Sequence, residues 1–332
     1  MLAGCDQNSG SEQATDEIVS ATQDVFAMDT YMTVTAYGEA AEEAVSAAIT
    51  EIERLNALLT ATDNTGEVYA VNQNGGGTLS EDGMYLLERS LEFYGSTEGA
   101  FNVAIFPIMA AWGFIDDHFG VPTEEELNGA LELIDIGNIS VDEEASSVTL
   151  KKEGMAIDFG GIAKGYTSSN VIRILETYGI ENAVVNLGGN VQVLGTKPDG
   201  SFWRVGIINP FNPDTGIGVV EVADCAVITS GGYERYFVQD GVNYHHIIDP
   251  STGYPANNGL VSVTIVSSDG TLADALSTSL FVMGVDNAIS FLEKNSELFD
   301  AILITEDGEI SVTEGLAENF TCEQSFSIIK TP

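Results

Sequence analysis

From Ser147 to Ser268 the chain is a succession of short β-rich runs broken by turn residues, and this texture limits the fold more than any other feature. The runs are SVTLKK, MAIDFG, NAVVNLGG, NVQVLG, FWRVGII, IGVVEV, CAVITSGG, ERYFVQ, VNYHHIID and GLVSVTIVSS. Parallel strands need a crossover between each pair, usually a helix. Only two helices interrupt these runs, after Gly161 and after Thr271, so the spacing points to antiparallel sheet.

Upstream, DVFAMDTYMTVTAYG alternates apolar and polar residues and predicts a strand pair. EAAEEAVSAAITEIERLNALLTA predicts an amphipathic helix with Ile49, Ile52, Leu55 and Leu59 on one stripe. NQNGGGTLS reads as a loop. Ser80 starts a second helix, and Thr123 is the expected N-cap of a third, VPTEEELNGALELI, with acidic residues in its first turn. No internal repeat and no separating linker is visible. The expected class is α+β, antiparallel sheets flanked by helices, with a polar tether over residues 1–24 and a single domain over 25–332.

Hydrophobic residues make up 44% of the chain, enough for a sizeable core. Against 51 acidic residues stand 11 basic ones, a formal charge of −40. That balance excludes nucleic acid as a partner, because phosphate backbones are held by Lys and Arg clusters. It also argues against unaided binding to an anionic membrane. Three cysteines are too few for a disulfide framework. Cys225 and Cys322 are expected as buried thiols, with a bond between them left open. Cys5 follows Leu-Ala-Gly in a stretch that resembles the bacterial lipobox, and a polar segment fit for a tether follows it. No apolar segment precedes it, so the expectation is a truncated signal peptide ahead of an extracytoplasmic protein anchored to the cell membrane through a lipid on Cys5. No apolar run looks long enough to span a bilayer.

Three glycine-bounded segments and one histidine pair carry candidate chemistry. In AIDFGGIAKGYTSSNVIRIL a strand ends at Asp158 and a helix starts beyond two glycines; free N–H groups there favour an anion, and Lys164 adds a positive charge. The same pattern also serves as a plain strand-to-helix turn. In VVNLGGN and ITSGGYERYF, Asn186, Asn190 and Ser230 either bond a ligand or merely flank tight turns. In SSDGTLADALSTSLFVMG, Asp274 and Thr278 share one helical face, a partial shell for a hard cation such as Mg²⁺. Alternatively, Thr271 and Asp274 form a capping box and Asp274 only satisfies backbone N–H groups. Of three histidines, two are adjacent, His245 and His246, in a strand running into the turn Asp-Pro-Ser-Thr-Gly. Strand alternation sends them to opposite sides, so one can reach a cleft as a general base while the other cannot.

Taken together, MDTYMTV, GAFNVAIFPIMAAWGF, IDFGGIAKGY, NLGGN, TSGGYERYF, HIIDPSTGYP, GLVSVTIVSS and ADALSTSLFVMG resemble, in this order, the ApbE family of flavin transferases, over Met28 to Gly284. The resemblance implies a T-fold-related α+β domain that moves FMN from FAD, as substrate, to a Thr or Ser hydroxyl of an acceptor flavoprotein. The acceptor would belong to a redox complex or be an extracellular flavoprotein; AMP would be released and Mg²⁺ would be the metal. It implies that Met28, Ala100, Phe101, Asn102, Asp158, Lys164 and Ile248 contact the flavin nucleotide. Gly161 (through its carbonyl), Asp274, Ser277 and Thr278 would hold the metal, and His246 would be the base. Four positions depart from the family pattern: Asp29 for Gly, Asn102 for Asp, Thr62 for an aromatic residue and Ser277 for Asp. Two other activities suit the same residues: hydrolysis of FAD to FMN and AMP, and flavin binding without chemistry by an anchored lipoprotein.

Overall fold

In the computed structural model residues 19–295 and 297–331 are described; Cys5 and most of the expected tether lie outside them. The first two strands, β1 (Ser20–Ala27) and β2 (Thr30–Tyr37), form the expected pair, closed by the two-residue turn Met28-Asp29. Strand β1 begins ahead of the tether boundary at residue 24, because Ser20 to Asp24 pair with β2 although all but Ala21 are exposed and polar. Both turn residues have positive φ, 48° and 59°, the combination that matches hairpin twist. Asp is among the few side chains that tolerate this conformation. Asp29 therefore meets the same backbone demand as the family's Gly.

Helix α1 (Ala41–Leu59) buries the expected stripe. The stretch read as a loop holds the end of α2 (Glu67–Asn74) and a short strand, β3 (Gly76–Thr78). Gly75 ends α2 at φ 68°, and Gly76 lies so near the backbone of Val148 that a Cβ would sit 2.6 Å from its carbonyl oxygen. Helix α3 (Glu81–Ser96) starts at Ser80, whose hydroxyl accepts from the Gly83 N–H. A short helix, α4 (Phe106–Ala111), has no clear sequence signal, whereas α5 (Glu124–Leu131) carries a complete Thr123/Glu126 capping box. Strands β4 (Ile139–Asp142) and β5 (Ser147–Leu150) join β3 in a small sheet. The run MAIDFG is extended but enters no sheet. The Asn72 side chain takes the place of a neighbouring strand, accepting from the Ile157 N–H and donating to the Ile157 carbonyl at 2.8 Å each.

Helix α6 (Ala163–Thr177) leads to β6 (Asn182–Leu187), β7 (Asn190–Leu194), β8 (Trp203–Ile208), β9 (Gly216–Val222) and β10 (Ala226–Gly231). A two-stranded ribbon, β11 (Tyr236–Gln239) and β12 (Val242–His245), precedes β13 (Leu260–Ser267) and α7 (Gly270–Asn295), which breaks at Gly284. The remaining strands are β14 (Asp300–Thr305), β15 (Ile310–Thr313), β16 (Phe320–Cys322) and β17 (Phe326–Ile329). Nine strands form one sheet in the order β1-β2-β6-β7-β10-β13-β14-β15-β17, antiparallel except for the β15–β17 pair. Helices α1, α6 and α7 cover one face. The sheet β16-β9-β8 packs on the other. Within β14, Ala301 and Leu303 face α7 while Ile302 and Ile304 face the second sheet.

By length and composition α7 is the one helix, among the described residues, that could cross a membrane, contrary to expectation. Its apolar residues instead pack on β10, β13 and β14. Cys225 and Cys322 are both free thiols, half-buried rather than buried; burial pushes the Cys225 thiol upward.

The N-terminal ends of α6 and α7 meet backbone to backbone. A Cβ on Gly165 would lie 2.1 Å from the Gly270 carbonyl oxygen and 2.7 Å from the Asp274 Cβ. A Cβ on Gly270 would lie 2.7 Å from both the Gly165 carbonyl oxygen and Gln192 Oε1. Gly165→Ala is therefore expected to cost ~2 kcal/mol or more in urea unfolding. Gly129→Ala, in exposed α5 with nothing within 4 Å, should stabilise by about 0.5 kcal/mol. Equal effects of the two changes would contradict the close contact.

Candidate active site

Asp274 sits where α6 and α7 meet. Helix α7 is capped by Asp269, whose carboxylate accepts from the Leu272 N–H at 3.1 Å. The Thr271/Asp274 capping box is therefore not formed, and Asp274 turns to the neighbouring helix. Its Oδ2 accepts from the Gly165 N–H at 2.8 Å and its Oδ1 from Asn190 Nδ2 at 3.2 Å. Helix α6 has no side-chain cap of its own at Ile162. Asp274 supplies that cap from outside, a carboxylate where the helix dipole favours one. Burial raises the Asp274 pKa, against Lys164, the Gly165 amide and Asn190, which lower it.

One turn on, the Thr278 hydroxyl lies 3.1 Å from Ser230 Oγ, which also meets Ser277 Oγ at 2.8 Å. Ser277 is fully buried and donates to the Asp274 carbonyl at 2.9 Å. Each Asp274 oxygen keeps an accepting lone pair. Asp274 and Thr278, one turn apart on α7, are hard oxygen donors of the kind Mg²⁺ takes. Among the described residues no group of three His, Cys, Asp or Glu side chains could hold a metal. A cation here would complete its shell with water and phosphate, as Mg²⁺ does.

The Gly-Gly turn before α6 is built by Asp158. Its Oδ1 accepts from the Gly160 N–H at 2.6 Å, and its own N–H donates to the Val103 carbonyl at 2.8 Å. Burial raises the Asp158 pKa, opposed by the Gly160 amide and Arg235. Lys164, in the first turn of α6, acts electrostatically on Asp274, on His246 and on Glu234. Glu234 was not singled out in the sequence, although it lies inside TSGGYERYF. Its carboxyl is pushed up to about 7 by desolvation, with Lys164 lowering and Asp274 raising it, although the residue as a whole remains exposed.

Phe101 is buried against Gly161 and edge-on to Phe93, with half-buried Ala100 beside it. Asn102 is committed to the backbone: Oδ1 accepts from the Ala104 N–H at 2.9 Å and Nδ2 donates to the Ile134 carbonyl at 3.0 Å. An Asp could not make the second bond, which accounts for the amide here. The Met28 N–H donates to Asn56 Oδ1 at 2.7 Å, and its sulfur lies 3.9 Å from Thr167 Oγ1 on α6. Thr62 is exposed, its hydroxyl 3.2 Å from that of Thr60. Ile248 is buried and bridges to Pro255. Asn186 is spent on its own turn, accepting from the Gly189 N–H at 2.9 Å.

The two histidines differ in their bonding, and β12 ends at His245, so His246 lies just beyond the strand expected to hold both. His245 is fully used: Nε2 meets the Ala256 carbonyl at 2.9 Å, Nδ1 accepts from the Ile247 N–H at 3.3 Å, and the ring stands edge-on to Phe281. His246 uses only Nδ1, 3.1 Å from the Arg235 carbonyl. A carbonyl only accepts, so Nδ1 carries the proton and Nε2 keeps a free lone pair. Phe114 faces its ring, and the Arg235 guanidinium is pinned by the Phe114 carbonyl at 2.6 Å and Asp117 at 2.9 Å. The turn beyond is fixed by Asp249 Oδ1, which accepts from both the N–H and hydroxyl of Ser251. Trp112 Nε1 donates to the Gly253 carbonyl at 2.7 Å.

Burial pushes the His246 pKa from 6.5 down to about 4; the Arg235 carbonyl opposes this, and the charges of His245, Lys164 and Arg235 add to it. The folded state therefore resists a proton that the unfolded chain accepts below pH 6.5. Relative to His246→Asn, the wild type should lose stability as pH falls from 6.5 towards 4, and the gap should be constant above 6.5. Urea unfolding of both proteins at each pH checks this.

The model of the ApbE family matches residues 28–303. The FAD:protein FMN transferase of Treponema pallidum (strain Nichols) is 34% identical over 292 residues, 83% of this chain and 80% of that protein. That of Klebsiella pneumoniae (strain 342) is 35% identical over 263 residues, 78% and 81% of the two chains. Among solved structures, the ApbE protein of Thermotoga maritima superposes with a TM-score of 0.84 at 33% identity, covering 91% of this chain and 99% of that one. The flavin transferase ApbE of Vibrio cholerae gives 0.82 at 27%, covering 91% and 100%. With the family model matched over residues 28–303 and two relatives 34% and 35% identical over most of both chains, this chain belongs to the ApbE family.

Proposed function

We propose that the protein is a FAD:protein FMN transferase that moves FMN from FAD to a Thr or Ser hydroxyl of an acceptor flavoprotein, with Mg²⁺ required and AMP released. The observation that carries this reading is the free Nε2 of His246, neutral at physiological pH, in a site whose Lys164 also faces Asp274. The acceptor hydroxyl oxygen bonds to the FMN-side phosphorus while the bond from that phosphorus to the bridging oxygen breaks. The hydroxyl proton passes to His246 Nε2, and AMP leaves with the bridging oxygen and its electron pair. Lys164 offsets charge on the phosphoryl oxygens. Bound through Asp274, Thr278 and the Gly161 carbonyl, Mg²⁺ would supply Lewis-acid polarisation and further charge neutralisation. Met28, Ala100, Phe101, Asp158 and Ile248 line the remainder of the flavin nucleotide site in this reading, with Asn102 shaping the loop from behind. The Leu-Ala-Gly-Cys stretch supports an extracytoplasmic protein tethered to the membrane by a lipid on Cys5.

The test is to mix the protein with FAD, Mg²⁺ and a Thr-containing acceptor domain from a flavinylated redox subunit, and record acceptor mass and AMP. An FMN-sized mass gain that chelation abolishes is expected. His246→Ala should reduce transfer by at least ~100-fold while FAD still binds. AMP release without a mass gain would make water the nucleophile, and retained FAD without AMP would make the protein a carrier. Full transfer by His246→Ala would remove the histidine from its role.

A further inference from the structure

The ribbon that leads into His246 stands apart from the larger sheets. Among the described residues β11 and β12 pair as a two-stranded sheet of their own, joined by Asp240 and Gly241, whose φ values of 52° and 79° suit a tight hairpin. Strand alternation gives the ribbon two faces. The pairs Tyr236–His245 and Val238–Asn243 make one, and Phe237–Tyr244 and Gln239–Val242 make the other. The His246 ring lies on the second: Phe114 meets it at 6.4 Å and meets Phe237 at 5.8 Å.

On this second face one aromatic ring follows another. Phe119 stacks on Phe237 at 5.5 Å, Phe237 on Tyr244 at 5.3 Å, and Tyr244 meets Trp112 at 5.3 Å. The Val121 N–H donates to Gln239 Oε1 at 3.3 Å, which ties the segment of Phe119 to the ribbon. The rim of this surface is open to solvent, with Phe119 39% and Val242 50% exposed. Clustered, preordered aromatic side chains left in water are the usual mark of a protein interface. The partner follows from the histidine: a side-chain hydroxyl that gives its proton to His246 Nε2 brings its own protein against the surface around that ring. We infer that the His246 face of the ribbon is the docking surface for the acceptor flavoprotein, with Phe119 and Val242 packing on apolar side chains that flank the acceptor Thr or Ser. Val238, on the opposite face and 62% exposed, lies outside the contact.

This inference rests on the transferase reading, and its test separates the two, because failure of that reading shows in the wild type and failure of docking only in the variants. Transfer from FAD to a Thr-containing acceptor domain of a flavinylated redox subunit is measured with Mg²⁺, first varying the acceptor at saturating FAD and then varying FAD. Phe119→Ala and Val242→Asp should each raise KM for the acceptor about 10-fold and leave kcat and KM for FAD near wild type. Val238→Asp, the same change on the other face, should leave all three unchanged. Thermal unfolding of each variant checks that the fold is kept, and Val242→Asp, at an exposed position, stands as the test if Phe119→Ala loosens its segment. A wild-type KM for the acceptor in Val242→Asp would overturn the inference. So would a rise in KM for FAD instead, which would give the rings to the flavin, or an equal effect of Val238→Asp, which would make the ribbon's stability the cause. Absence of transfer by the wild type would overturn the transferase reading and this inference with it.

Discussion

The hydrogen bond from the Gly165 N–H to the Asp274 carboxylate is the contact on which the rest of the site depends. It exists because two glycines let the starts of α6 and α7 approach closer than any side chain allows. It caps a helix that has no cap of its own, and it aims a buried carboxylate at the volume in front of that helix. The same residue thus does structural and chemical work. The two readings open in the sequence, cap or ligand, are compatible: Asp274 caps α6 rather than its own helix and still has lone pairs to give.

The second constraint is how the ribbon β11–β12 presents its histidine. One backbone carbonyl, that of Arg235, accepts from both the His246 N–H and its Nδ1, fixing the ring's position and tautomer together. A stack of aromatic rings, Phe119 on Phe237 on Tyr244, lies along the ribbon, and Trp112 holds the turn that follows. Lys164 and Arg235 both bear on His246, which favours the neutral, base-competent imidazole and an incoming phosphate alike.

Local signals made much of this legible. The hairpin and the Ser80 and Thr123 caps follow from short-range rules. What stayed hidden depends on distant partners. The segment MAIDFG is extended but joins no sheet: Ile157 pairs with the Asn72 side chain and the Asp158 N–H with the Val103 carbonyl. Strand β14 is buried on both faces, so its apolar run carries no alternation. The glycine junction is invisible because neither Gly165 nor Gly270 announces what lies opposite. Asn102 and Asp29, which look like losses in the sequence, are adjustments to the local backbone.

The measurement that bears most directly on the account is Mg²⁺-dependent AMP release from FAD by Asp274→Asn in the presence of acceptor, alongside its thermal unfolding. Asn can still accept the Gly165 N–H through its amide oxygen but carries no charge. The account predicts a folded protein that has lost Mg²⁺-dependent AMP release. A folded variant that releases AMP at the wild-type rate and with the same Mg²⁺ dependence would contradict it.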